Sequence, residues 1–94
     1  MSHNLYIIYS KSQDKYYVGE TIDINLRITK HNNHSYKGSF TKIATDWKIV
    51  LDYECSTKDE ALFLERFIKR MKSRKFIEKI IENNQILNDI LNKR

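Results

Sequence analysis

A chain of 94 residues has the size of one small domain, so residues 1–94 are expected to form a single unit in which any active site shares the core that holds the fold. With 40% hydrophobic and 12% aromatic residues the composition excludes a disordered chain, and 17 Lys and Arg against 12 Asp and Glu leave a formal charge of +5, which suits a polyanionic partner such as nucleic acid. The single cysteine, Cys55, excludes an internal disulfide and a CxxC zinc site and fits a reducing cytoplasm.

Leu5 to Tyr9 is an apolar and aromatic run, far too short for a signal or transmembrane segment, so a soluble protein is expected, with no membrane association. Tyr16-Tyr17-Val18 is a second such run, and the polar stretch Ser10 to Lys15 between them predicts a β-hairpin. Gly19 ends the second strand. Thr21 or Asp23 can cap a short helix carrying Ile24 and Ile28 and ending near His31. The polar segment Asn32 to Ser39, with Gly38, reads as a surface loop, and Trp47 to Tyr53 as a third strand. Thr57-Lys58-Asp59-Glu60 has capping-box form ahead of the helical stripe Ala61, Leu64, Ile68, Met71. Ser73 can cap a third helix, whose stripe Phe76, Ile77, Ile80, Ile81, Leu87, Leu91 is interrupted at Asn83-Asn84. Strand 1 is apolar on both faces, as in a sheet covered on both sides. The expectation is an α/β (α+β) sandwich in the order ββαβαα, with a three-stranded, mainly antiparallel sheet flanked by helices.

A hairpin centred on Ser12 and Gln13 sets Tyr6 opposite Gly19 and Ile8 opposite Tyr17, which puts Tyr6 and Tyr17 on one face. The missing side chain at Gly19 then leaves space beside Tyr6. Tyrosines also favour strands for their own sake, and a glycine also ends a strand for backbone reasons. Arg27 and His31, four apart, project from one helix face, where Arg offers a fork for a phosphate and His a donor or proton shuttle; a solvated polar face is the plainer account. Glu65 lies beside the apolar stripe of the second helix, placed to hold a hard divalent cation or, more simply, to pair with Lys69. Arg66, Lys69, Arg70, Lys72, Arg74, Lys75 and Lys79 put seven bases in fourteen residues, a density suited to a phosphate backbone.

In order and spacing these residues resemble the GIY-YIG nuclease family. Asn4-Leu5-Tyr6 stands where the family has Gly-Ile-Tyr, Tyr17-Val18-Gly19 where it has Tyr-Ile-Gly, and Arg27, His31 and the helix glutamate Glu65 follow in sequence. Lys72-Ser73-Arg74 looks like a segment common in short bacterial members. Asn4 departs from the first glycine, and Asn83, Asn84 and Asn88 are all available for the asparagine that many members place after the glutamate helix.

The resemblance implies a cytoplasmic endonuclease that hydrolyses DNA phosphodiester bonds with one divalent metal ion, Mg²⁺ or Mn²⁺. It implies that Tyr6 accepts the proton of the attacking water while Tyr17 orients it, or the reverse, that Arg27 and His31 stabilise charge on phosphorus, and that Glu65 holds the metal. Arg66, Lys69, Arg70, Lys72, Arg74 and Lys75 would contact DNA. Whether that DNA is single-stranded, branched or duplex, whether RNA is accepted, and the oligomeric state stay open. A weakly active or inactive nucleic-acid-binding module of the same fold, and a subunit that docks on another protein through its third helix, are the other readings of the same residues.

Overall fold

The computed structural model describes residues 3–33 and 43–94. Three strands, β1 (His3–Ser10), β2 (Lys15–Thr21) and β3 (Trp47–Cys55), form one sheet in the order β2-β1-β3, antiparallel at both junctions. Four helices accompany it: α1 (Ile24–Asn32), α2 (Lys58–Met71), α3 (Arg74–Glu82) and α4 (Gln85–Asn92). No helix among the described residues is long and apolar enough to cross a membrane.

The hairpin has the register its residues demand, with Tyr6 opposite Gly19 and Ile8 opposite Tyr17. Its turn closes through Asp14, which takes a left-handed backbone (φ 53°) that Asp tolerates better than most residues. Because successive side chains alternate, central strand β1 feeds two separate cores. Leu5 and Ile7 pack with Val18, Leu51, Ala61, Leu64, Ile68, Ile80 and Leu87 against the α2, α3 and α4 side. Tyr6 and Ile8 pack with Ala44, Trp47, Tyr17, Ile24 and Ile28 on the α1 side. The α+β sandwich is therefore covered by helices on both faces.

Helix starts follow the capping chemistry. Asp23, not Thr21, caps α1 by accepting from Leu26 N at 3.0 Å, while Thr21 Oγ1 accepts from Asp23 N at 3.1 Å and so fixes the cap. Thr57 accepts from Glu60 N at 3.2 Å, and Glu60 reaches back to the N–H of Ser56, one residue earlier than a standard capping box. Ser73 caps α3 by accepting from Phe76 N at 3.1 Å.

Three expectations need adjusting. The strands run past their apolar cores because backbone pairing continues through polar residues: β2 does not end at Gly19 but reaches Thr21. The third helix is two, since Asn83 adopts an extended backbone (φ −140°, ψ 92°) and its side chain accepts from Gln85 N, restarting the chain as α4. The loop expected over Asn32 to Ser39 begins one residue late, Asn32 being the last residue of α1, and from residue 34 on it lies outside the described residues.

Candidate active site

Gly19 is required by a neighbour rather than by its own backbone. The Tyr6 ring lies across it, so that a Cβ at Gly19 would sit 2.5 Å from Tyr6 Oη and 2.6 Å from Cζ, far inside van der Waals contact. The space expected beside Tyr6 is thus filled by Tyr6 itself. Laid flat in this way, Tyr6 is 1% exposed, and its hydroxyl meets His31 Nε2 at 2.9 Å. His31 is 2% exposed, and burial first, then the nearby Arg27 charge, push its pKa down to about 4. The imidazole is therefore neutral at pH 7, able to accept as well as donate.

Tyr17 completes an aromatic triangle, its ring centroid 5.0 Å from His31 and 6.4 Å from Tyr6. It is only half-buried, so solvent reaches it where it does not reach Tyr6. Arg27, also half-buried, shares the α1 face with His31. On the other side of Tyr17 the Lys69 ammonium lies 5.3 Å from the ring centroid and 2.7 Å from Glu65 Oε2. Glu65 thus pairs with Lys69, as helical spacing allows, and the same lysine brings the carboxylate up to the tyrosine cluster. Tyr6, Tyr17, Arg27 and His31 converge through α1 and the hairpin; Glu65 approaches from α2 around the free edge of β2.

The basic run is not one uniform surface. Arg66, Arg70, Lys72 and Lys75 are exposed. Lys69 is held by Glu65, and Arg74 is spent on structure. Its guanidinium donates to the Asp14 backbone carbonyl at 3.0 Å and to the Asp14 carboxylate at 2.5 Å, bonds Glu78 at 3.3 Å and stacks over Tyr16 at 5.2 Å. That network fastens the hairpin tip to α3.

Several positioning residues carry no signal a motif would catch. Asn32 forms a two-way clamp on the start of β3, accepting from Trp47 N at 2.8 Å and donating to Trp47 O at 3.1 Å, and so ties the end of α1 to the sheet. Asp46 accepts from Ser10 Oγ at 2.6 Å and from Ser12 N at 2.9 Å, and those bonds hold its carboxyl down at about 2. Asn4, at the position of the missing glycine, donates to Asp52 across β1 and β3 at 2.5 Å. At Asn32 and Asp46 the forewarning lay in the residue types, since Asn and Asp readily bond backbone groups; the Asn4–Asp52 contact depends on the pairing of β1 with β3.

Among the described residues no three His, Cys, Asp or Glu side chains gather into a metal cage. Of the candidate site residues only Glu65 carries a carboxylate, and one carboxylate would fit a hard cation that keeps its waters and completes its shell on substrate phosphates rather than a tightly held resident ion. Asn83 and Asn84 cap and start the last two helices, and Asn88 is exposed on α4.

Fold, tyrosine pair and helix glutamate together define the GIY-YIG class, and the family model for the GIY-YIG catalytic domain matches residues 2–79; the chain belongs to this nuclease family. Within it, the chain is similar to the UPF0213 proteins. It is 32% identical to one from Streptococcus pneumoniae over 90% of this chain and 85% of that one. It also superposes on the solution NMR structure of a UPF0213 protein from Bacillus halodurans with a TM-score of 0.55 and 28% identity, covering 87% of this chain and 84% of that one. Helix α4 lies beyond the matched family segment, yet contributes the fully buried Leu87.

Proposed function

We propose that this chain is a cytoplasmic endonuclease that hydrolyses DNA phosphodiester bonds with Mg²⁺ or Mn²⁺. The observation that carries the reading is the triangle of Tyr6, Tyr17 and a neutral, buried His31, flanked by Arg27 on one side and by Glu65 on the other. Exposure separates the two phenols. Tyr17 is the one that water and a strand can reach, so it receives the proton of the attacking water, while Tyr6, tied to His31 Nε2, positions the imidazole. As the phenolate of Tyr17 takes that proton, the water oxygen bonds to phosphorus, the P–O ester bond breaks, and the leaving oxygen is protonated by solvent. Arg27, half-buried on the same α1 face, would stabilise the charge that grows on the non-bridging oxygens, and buried His31 would support the cluster from behind through Tyr6. Glu65 would hold the metal, which supplies Lewis-acid stabilisation of phosphate charge when bound.

The decisive experiment measures nicking of labelled single-stranded, branched and duplex DNA with and without Mg²⁺ or Mn²⁺, for the parent and for Glu65→Gln. The substitution keeps the shape and removes the charge, so cleavage should collapse while DNA binding persists. Full cleavage by Glu65→Gln at saturating Mg²⁺ would remove the metal from this residue. A second reading is favoured by one specific observation, the Lys69 ammonium already on the Glu65 carboxylate: a nucleic-acid-binding module that does not cut. It predicts salt-sensitive binding by the parent with no nicking under any metal.

A further inference from the structure

Behind Tyr17, where edge strand β2 faces the elbow between α2 and α3, lies a groove of about 420 Å³, well within the range that binds small ligands. Its composition is uneven in an informative way. Val18, Ile68 and Ile77 give apolar wall, Tyr16 and Tyr17 bring aromatic rings, and the charged lining is four cations, among them Lys72, against the single carboxylate of Asp14, with Arg74 tied to Asp14 and Lys69 to Glu65. The bend that forms it is set by Lys72, which ends α2 in a left-handed conformation (φ 49°), and by Ser73, which starts α3. An apolar slot with rings beside it and a surplus of cations in its lining matches a nucleobase carried on a phosphodiester backbone: the base leaves water and stacks, and a phosphate meets a cation such as Lys72. A peptide of matching chemistry would need acidic residues flanking an apolar one.

We propose that this groove receives the base of one unpaired nucleotide of the DNA strand, adjacent to the phosphate presented to Tyr17. The inference rests on the nuclease reading and deepens it, because a paired base cannot enter a slot beside the strand without leaving its partner. Tyr17 belongs to both places, one side turned to the His31 ring and the other to the groove, so a seated base fixes the register of the strand over the cluster. The preferred substrates are then single strands, or junctions and ends that expose an unpaired nucleotide, and fully paired duplex is a poor one.

The test uses the full chain in EDTA, so that no strand is cut, with a twelve-nucleotide DNA carrying one 2-aminopurine, offered alone and as a blunt duplex. The single strand should bind at least tenfold more tightly than the duplex and its fluorescence should be quenched on binding. Ile77→Trp, which fills the groove, and Lys72→Asn, which keeps a residue tolerant of the left-handed backbone but removes the charge, should each weaken single-strand binding by about tenfold, the scale of one lost stacking contact or phosphate contact. Circular dichroism and melting confirm that each variant is folded; if Ile77→Trp unfolds, Lys72→Asn and the parent's single-strand preference decide. Equal affinity for strand and duplex, or a folded Ile77→Trp that binds as the parent does, overturns the groove. These outcomes are separable from the fate of the nuclease reading: quenching that depends on Ile77 in a chain that cuts nothing leaves the groove standing without the enzyme, whereas metal-dependent cleavage with no effect of Ile77→Trp leaves the enzyme without the groove.

Discussion

At the scale of single residues, Gly19 and His31 show what neighbours impose. Gly19→Ala places a methyl group against the Tyr6 ring and must push the phenol off His31, so a stability loss of about 1–3 kcal/mol should accompany a loss of cleavage, read by melting and nicking on the same variant. An unchanged melting temperature would mean that Tyr6 does not lie across this strand. His31 couples the site to pH. Its folded pKa, about 4, is below the ordinary value of 6.5, so the unfolded chain binds more protons between these values and stability rises with pH across the window. The contribution is whole above 6.5 and is lost as pH falls toward 4; in His31→Gln that slope should flatten in urea titrations at stepped pH. That Tyr6 and Tyr17 share one face of the hairpin, and that Arg27 and His31 share one face of α1, was legible in the sequence, because hairpin register and helical spacing are local. What was not legible is that Tyr6 fills the space at Gly19, or that one phenol is buried and the other reachable, since both depend on how α1 packs against the sheet.

At the scale of elements, short polar side chains do the joining. Asn32 holds the end of α1 to the start of β3 through both Trp47 backbone groups, and Asn32→Ala should cost about 1–3 kcal/mol by stranding those groups. Because α1 carries Arg27 and His31, cleavage should fall more than the loss of folded protein explains. Arg74→Ala should behave otherwise: it unfastens the hairpin tip from α3 and lowers the melting temperature, with little effect on DNA affinity, the reverse of the pattern expected of a phosphate contact. Element order and helix starts were readable because caps are local, as at Thr57 and Ser73. The division of the last helix into α3 and α4 was visible only as an interruption, since whether Asn83 kinks or ends a helix turns on a backbone choice that the apolar stripe continues across.

For the whole molecule, the charge of +5 and the exposed Arg66, Arg70, Lys72 and Lys75 predict DNA binding that weakens steeply with added salt, and charge reversal at Arg70 and Lys72 should weaken it for all sequences alike. Affinity that ignored ionic strength would count against this surface. The sheet also acts as a partition. Among the described residues the larger apolar cluster lies with α2, α3 and α4, while Tyr6, Tyr17 and His31 share the other side with α1. On the proposed reading Tyr17 acts on the α1 side, so a change such as Tyr17→Phe, at a half-buried ring, leaves the larger core untouched. A cell's proteases and chaperones judge a protein by how often it unfolds, not by what it cuts. If the proposed role of Tyr17 holds, a variant silenced in this way would persist at the abundance of its parent and still occupy DNA, so that a competent nuclease and an inert competitor for its own substrate would stand one hydroxyl apart.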